Sequence, residues 1–321
     1  MQHVATHMKK ILLTIILLLF FNISNAQSNS TLELAKSMSS STIEISDLND
    51  FVEQKISDKK EIAKFFYYWI SLNIEYDHET ADKKESETTQ EEIIESENPV
   101  IAFNNRKAVC IGYSNLYNLF MDNFEIDCKI ITGYAKTLEN LTLEIEQDGE
   151  FRHAWNVIKL DGSWKLVDTT WAKQFEENIS DYYFDTKPQR LILSHYPEET
   201  KWQLLEEQIS IEDFNKQPYV HSFYFDTGFG ELPKLTFDNQ YYYIEFPKNA
   251  SNNWLTKLTY TSANVKNESI FPDYEEREKS NVFKFRKSDI PPKSILNVVV
   301  TYFDWEKSTK AEYNDIIKYN L

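Results

Sequence analysis

The chain is short of cysteine, glycine and positive charge. Two cysteines in 321 residues cannot cross-link a disulfide-dense scaffold, nor can they build a four-cysteine zinc site. Six glycines exclude a collagen-like repeat, and aromatics at 15% argue against a disordered chain. Lysine and arginine number 34 against 51 acids, for a net charge of −17. Such a chain is repelled by phosphate backbones and anionic lipid, so nucleic-acid binding and a polybasic membrane anchor are poor fits. No glycine-rich phosphate loop, HExxH motif, EF-hand loop or nucleophile-elbow serine is present. Neither a metal nor a cofactor is expected.

Beyond Phe21 the sequence has no long apolar run. Before it, Lys9-Lys10 precede an apolar stretch from Ile11 to Phe21, and Ser24-Asn25-Ala26 follows. That order reads as a secretory signal cleaved after Ala26. Its apolar core is shorter than the about 20 residues a spanning helix needs. The mature chain is therefore expected to be exported, secreted or periplasmic, with no integral span; the alternative is a retained anchor helix.

Length suggests two domains at roughly 100–200 residues each. From Ser46 to Asn73 the pattern is helical. Asp58-Lys59-Lys60-Glu61 has the form of a capping box, and Ile62, Phe65, Phe66, Trp69 and Ile70 follow as a core-facing stripe. Glu79–Glu97 carries eight acids against two lysines and reads as a solvated insert or mobile loop. A second helix is expected over Asn104–Asp122. The period then changes: Ile126, Cys128, Ile130 and Thr132 alternate along a strand, a second strand covers Arg152–Leu160, and Asp161-Gly162 turns into a third, Ser163–Thr169.

Helices followed by antiparallel strands make an α+β order. After Pro218, short strands are expected near Phe223–Phe225, Tyr241–Phe246, Leu255–Thr261, Val282–Phe285, Ile295–Tyr302 and Ile316–Tyr319, which suits an all-β sandwich. The expected division is 1–26 signal peptide, 27–217 an α+β domain and 218–321 a β-sandwich-like domain. Within the α+β domain, the core is placed at about 60–175 and an extension at 176–217.

Cys110 stands where a helix should begin, after Lys107-Ala108-Val109. A thiolate there gains from the unpaired N–H groups and the positive end of the helix dipole. A bridge to Cys128 is disfavoured, because a helix over 110–122 spans about 20 Å while a disulfide needs its Cα atoms within about 7 Å. A buried, inert thiol is the other reading. With Asp161-Gly162 as a two-residue turn, opposed residues sum to 323. His153 and Asp168 then share a face as diagonal neighbours, about 7 Å apart at Cβ. Asp168 would fix the tautomer of His153 and leave the other ring nitrogen for Cys110. A bulge in the hairpin would break that parity.

Ala108-Val109-Cys110-Ile111-Gly112-Tyr113-Ser114, His153-Ala154-Trp155-Asn156 and Trp164-Lys165-Leu166-Val167-Asp168-Thr169-Thr170-Trp171 resemble the three motifs of the transglutaminase-like superfamily. The helix ending Phe66-Tyr67-Tyr68-Trp69-Ile70 and the following Asn73-Ile74-Glu75-Tyr76-Asp77 look like its lead-in. Tyr183-Phe184, His195-Tyr196-Pro197 and Trp202-Gln203-Leu204-Leu205 resemble the extension of the kyphoscoliosis-peptidase branch. The likeness covers about 60–218, and Ala108 departs from the glycine often found before Val-Cys.

The resemblance implies a papain-like fold with Cys110 as nucleophile, His153 as base and Asp168 as orienting acid. The Cys110 N–H is a natural oxyanion donor, and Asn104, six residues upstream, is a candidate second one. Trp155 and Trp171 are placed beside the site, as packing or substrate contacts. His78, beside Asp77 and other acids, could suggest a metal but has no HExxH or EF-hand spacing, and His195 and His221 are read as structural. The implied function is an exported cysteine-dependent acyl-transfer enzyme acting on protein or peptide substrates, with hydrolysis favoured over cross-linking. Its rival is a non-catalytic scaffold whose β-sandwich recruits a partner or a cell-envelope component.

Overall fold

Between Ile45 and Asn73 the helical pattern divides into two helices, α1 (Ile45–Lys55) and α2 (Lys59–Asn73), in a computed structural model of the chain. The structure describes residues 30–39, 42–83, 88–138, 140, 144–146, 149, 152–175, 178–227, 231–248, 254–304 and 309–321. The expected signal segment, 1–26, lies outside these residues. Asp58 divides the helices: its carboxylate accepts the Glu61 N–H at 3.0 Å and so starts α2. The expected box is not reciprocal, since the Glu61 carboxylate receives the Thr31 hydroxyl instead.

Contact density separates two compact units. Of the described residues, one comprises those up to Gly133 together with His153–Pro188; the other comprises those in Tyr134–Arg152 and Gln189–Leu321. In the first, the apolar stripe of α2 is buried. Phe66 stacks on Phe120 at 4.2 Å and Trp69 on Phe103 at 5.2 Å. Strand β1 (Glu75–Tyr76) leaves α2 and pairs in parallel with β2 (Lys107–Ala108).

Within the acidic segment between them, Gln90–Glu97 is more ordered than the composition predicts. Thr89 and Glu92 form a reciprocal capping box that opens α3 (Gln90–Glu97). This helix packs on α5 (Cys110–Asn123) at Gly112, where an added Cβ would lie 2.8 Å from the Ser96 carbonyl oxygen. Asn115 Nδ2 donates to the Glu97 carbonyl at 2.8 Å. Glu91, Glu95 and Glu97 remain exposed, so the charge stays in water while the backbone is held. Charge counting sees only the solvated face of such a helix.

The helix expected over 104–122 is also divided. A short helix, α4 (Pro99–Asn105), starts on the Asn98 side chain, which accepts from Val100 and Ile101 N–H, and ends at Arg106 with φ of 54°. Then come β2, an extended Val109 and α5 beginning at Cys110.

The strands behind α5 are β3 (Cys128–Ala135), β4 (Arg152–Leu160), β5 (Ser163–Val167) and β6 (Phe184–Thr186), in the order β6-β5-β4-β3. The hairpin β4–β5 is antiparallel, with Asn156 opposite Val167 and Leu160 opposite Ser163. Asp161 and Gly162 both have positive φ, 48° and 78°, the mark of a type I′ turn that suits the twist of two strands. The fold of this unit is thus α+β, helices packed with a largely antiparallel sheet.

The second unit is dominated by strands. One sheet contains β7 (Tyr219–Val220), β10 (Trp254–Thr261), β11 (Glu268–Ser269), β14 (Ile295–Asp304) and β15 (Thr309–Asn320), in the order β7-β15-β14-β10-β11. The other contains β8 (Lys234–Phe237), β9 (Tyr241–Pro247), β12 (Asp273–Glu276) and β13 (Ser280–Arg286), in the order β8-β9-β13-β12. Ile244 and Phe246 from the second sheet share a core with Leu258, Leu296, Val298 and Ile317 from the first. This is a β-sandwich.

Phe223–Phe225, expected as a strand, lies in a 3-10 turn over Ser222–Thr227, where Tyr224 is buried and donates to the Glu231 carbonyl at 2.7 Å. The division of units also departs from the expected boundary at Pro218. Leu193 belongs to the sandwich core, and Ile192, Tyr196 and Phe214 cluster with Tyr134 and Ile145. Apolar side chains, not the proline, decide where 189–217 packs. Among the described residues no helix is long and apolar enough to cross a membrane.

Candidate active site

Cys110 is the first residue of α5. Its N–H therefore has no intrahelical acceptor, and its side chain sits at the positive end of the helix dipole. Val109 precedes it in extended conformation, with φ of −87° and ψ of 174°.

His153 is near the start of β4, and its Nε2 lies 2.8 Å from Asp168 Oδ2. Asp168 directly follows β5 and is 1% exposed. Its other oxygen accepts the N–H groups of Thr170 at 2.8 Å and Trp171 at 3.1 Å. Its own N–H donates to the Tyr183 carbonyl, and Ser71 of α2 donates to the neighbouring Thr169 carbonyl. One carboxylate oxygen is held by two N–H groups and the local backbone is pinned, while the other oxygen meets the imidazole.

With Nε2 bonded to Asp168, Nδ1 is the nitrogen that faces the thiol. The Cys110 sulfur hydrogen-bonds the His153 ring and accepts the Ala154 N–H. Burial works against a Cys110 thiolate, but the hydrogen bond and charge of His153 outweigh it and hold the thiol below its ordinary range. Burial likewise disfavours a charged His153, and the Asp168 charge and hydrogen bond, with those of Cys110, raise its pKa well above the ordinary value. Both shifts favour a thiolate–imidazolium pair.

The other thiol has a different environment. Cys128 meets the Asn156 amide at 3.5 Å, and burial pushes it up to about 12. Neither cysteine is in a disulfide.

Trp155 is stacked with the His153 ring at 6.0 Å, and Trp171 is tilted against it at 5.2 Å. The imidazole is therefore shielded by two indoles, and Trp155 is itself 1% exposed. Asn104 is exposed on α4, a helix separate from the one that carries Cys110. His78 is exposed and packs against Tyr76. His195 Nδ1 meets the Ser194 hydroxyl at 2.7 Å, and His221 Nδ1 accepts the Phe223 N–H at 3.2 Å. Asn140, in a glycosylation-type sequence, is buried with its amide on the Ala135 carbonyl.

Asn156 was not distinguished by motif spacing, yet it links the two halves of the site. Its Nδ2 donates to the Ser114 carbonyl of α5 at 3.0 Å, holding the strand of His153 to the helix of Cys110. The available signal was chemical: an amide among Ala154, Trp155, Val157 and Ile158 must be hydrogen-bonded if the strand is buried.

Residues 47–169 match the transglutaminase-like superfamily. Kyphoscoliosis peptidase of Mus musculus is 30% identical over 189 residues, covering 56% of this chain and 27% of the relative. The Homo sapiens protein of that name is 28% identical over the same length. The chain thus spans little more than a quarter of the length of these curated relatives. A crystal structure of a TGase, 17% identical, aligns with a TM-score of 0.31 over 52% of this chain and 37% of that one. Residues 47–169 thus carry a transglutaminase-like superfamily domain, and the chain is similar over 189 residues to the kyphoscoliosis peptidases.

Proposed function

We propose that this protein is a cysteine-dependent acyl-transfer enzyme acting on peptide or carboxamide bonds, with water as the favoured acceptor. The observation that carries the reading is the continuous link from the Cys110 sulfur through the His153 ring to Asp168. The Cys110 thiolate adds to the carbonyl carbon and the oxygen takes the negative charge. His153 gives its Nδ1 proton to the departing nitrogen, the C–N bond breaks, and a thioester with Cys110 remains. Water then adds to that thioester, passing a proton to His153. Loss of the C–S bond releases a carboxylic acid and restores the thiolate–imidazolium pair. Asp168 keeps the imidazole oriented and its charge favourable throughout. The peptidase name of the relatives supports hydrolysis; a lysine amine in place of water would give cross-linking.

The test compares wild type with Cys110→Ala on peptide and carboxamide libraries, with a primary amine present and products read by mass spectrometry. Cleavage or deamidation that depends on Cys110 is expected. Amine incorporation in place of hydrolysis would reverse the preferred acceptor. No turnover, together with iodoacetamide labelling of Cys110 no faster than an ordinary thiol, would overturn the enzyme reading in favour of a scaffold.

Export is part of the same proposal, supported by the Lys9–Ala26 pattern. The mature chain is read as secreted or periplasmic, its β-sandwich free to meet a cell-envelope partner. Intact mass of the native protein tests it: a chain beginning at Gln27 is expected, and one retaining residues 1–26 would exclude cleavage.

A further inference from the structure

The turn that joins β8 to β9 and the end of β13 border an open cavity of about 460 Å³, lined by Asn239, Gln240, Tyr241, Arg286, Lys287 and Ser288. Strand pairing explains which side chains face outward there. Tyr241 lies directly opposite Arg286, and Tyr243 opposite Lys284; directly opposed residues project to one side of a sheet. The intervening pair points the other way, Phe285 into the sandwich core and Tyr242 against it. Two tyrosines and two cations thus form a block on the outer face. The Lys284 ammonium sits over the Tyr241 ring at 4.0 Å, and the rings of Tyr241 and Tyr243 are 6.3 Å apart.

The charge balance at this end of the sheet is the reverse of the chain's. Elsewhere on the same sheet the cations are paired, Lys248 with Glu276 at 2.8 Å and Arg277 with Glu275 at 2.9 Å. Among the described residues Lys284, Arg286 and Lys287 have no carboxylate partner; the two lysines lie over aromatic rings instead, Lys287 over Phe237 at 4.3 Å. Two acids are near in sequence, and both are already bonded. One oxygen of Asp238 accepts the Gln240 and Tyr241 N–H groups at 2.8 Å, and the other accepts the Tyr243 hydroxyl at 2.7 Å. Asp289 accepts the Ser288 hydroxyl at 3.1 Å. The Lys287 N–H donates to the Gln240 carbonyl at 2.9 Å, which ties the turn to the end of β13. The walls are therefore preformed, while Asn239, Gln240 and Arg286 are exposed and Tyr241 is half-buried.

We propose that this face of the β-sandwich binds an acidic saccharide, a chain of uronic-acid type with a carboxylate on each ring. The Arg286 guanidinium takes a carboxylate through a fork of charge-assisted hydrogen bonds. Tyr241 offers one aromatic face to the apolar side of a sugar ring. The amides of Asn239 and Gln240 each donate and accept, which matches sugar hydroxyls and exceeds what a bare anion needs. Lys284 and Lys287, held along the face by the rings beneath them, add a positive field that the acidic chain otherwise lacks. An acidic peptide would satisfy the cations but has no ring of hydroxyls for the amides. This site is independent of the acyl-transfer reading, since it uses none of Cys110, His153 or Asp168.

Calorimetric titration of the full chain with trigalacturonic acid, maltotriose and triglutamate tests it. The first is acidic and built of sugar rings, the second is neutral, and the third is acidic without rings. Trigalacturonic acid is expected to bind, and to bind less tightly as salt is raised. Arg286→Gln, at an exposed position, should weaken it by about tenfold, the effect of losing one hydrogen bond to a charged group. Tyr241→Leu should weaken it by roughly threefold or more, and the Tm of Arg286→Gln should match wild type. Trigalacturonic acid that fails to bind at millimolar concentration, or that binds both variants as well as wild type, would overturn the proposal. Maltotriose bound equally well would remove charge from the recognition, and triglutamate bound equally well would make this an acidic-peptide surface. Either result would overturn the acidic-saccharide assignment.

Discussion

His153 Nε2 and Asp168 Oδ2 are 2.8 Å apart although fifteen residues separate them, because the Asp161-Gly162 turn closes the hairpin in register. Replacing Asp168 by Asn keeps the shape and removes the charge that holds the imidazole in its tautomer. Acylation of Cys110 by p-nitrophenyl acetate should fall by roughly 10²–10⁴-fold, with the far-ultraviolet circular dichroism unchanged. A loss below tenfold would show that Asp168 is only a structural anchor for the Thr170 and Trp171 N–H groups.

The protonation states make a second prediction. Cys110 is depressed below its ordinary value of 9.0, so its thiolate persists to lower pH than a free thiol's. The pH midpoint of iodoacetamide labelling should therefore lie below 9.0, and His153→Ala should move it upward. Cys128, pushed up to about 12, should remain unlabelled at neutral pH, as peptide mapping would report. His153 is raised above its ordinary 6.5, so acyl transfer that needs the imidazolium to protonate the leaving nitrogen should retain activity on the alkaline side of that value. It should decline only when the raised pKa is passed.

Gly112 has no room for a side chain. An added Cβ would sit 2.8 Å from both the Ser96 carbonyl oxygen and Ala108 Cβ, and backbone cannot swing aside as a side-chain end can. Gly112→Ala should destabilise by about 1–3 kcal/mol, despite the better helix propensity of alanine. Urea unfolding checks this, and faster proteolysis within Gln90–Glu97 should accompany it as α3 is pushed off α5.

Asn156→Ala should also destabilise, because the Ser114 carbonyl would lose its donor in a buried place. A cost of about 1–3 kcal/mol in urea unfolding is expected. Since the same amide ties the strand of His153 to the helix of Cys110, the Cys110 labelling rate should fall as well. Stability lost with labelling unchanged would show that the two halves of the site are held together elsewhere.

Local chemistry determined much of this protein before any tertiary contact. A two-residue Asp-Gly turn sets hairpin parity, and with it the meeting of His153 and Asp168. The apolar stripe of α2 and the change of period after Asn123 announce helices followed by strands. These are short-range properties, fixed by backbone geometry and side-chain alternation, so they can be read in order along the chain. Long-range packing decided the rest. The acidic stretch becomes ordered as α3 because Gly112 lets another helix approach. Residues 189–217 follow their apolar side chains past the boundary suggested by Pro218. Asn104 and Cys110 stand on different helices because Arg106 ends one in the left-handed region and an extended Val109 precedes the next. Tyr76 is set opposite Ala108, two residues before the nucleophile, by a two-residue parallel pairing that spans more than thirty positions of sequence. Pairings of that kind depend on which segments meet in space, and no local pattern encodes them.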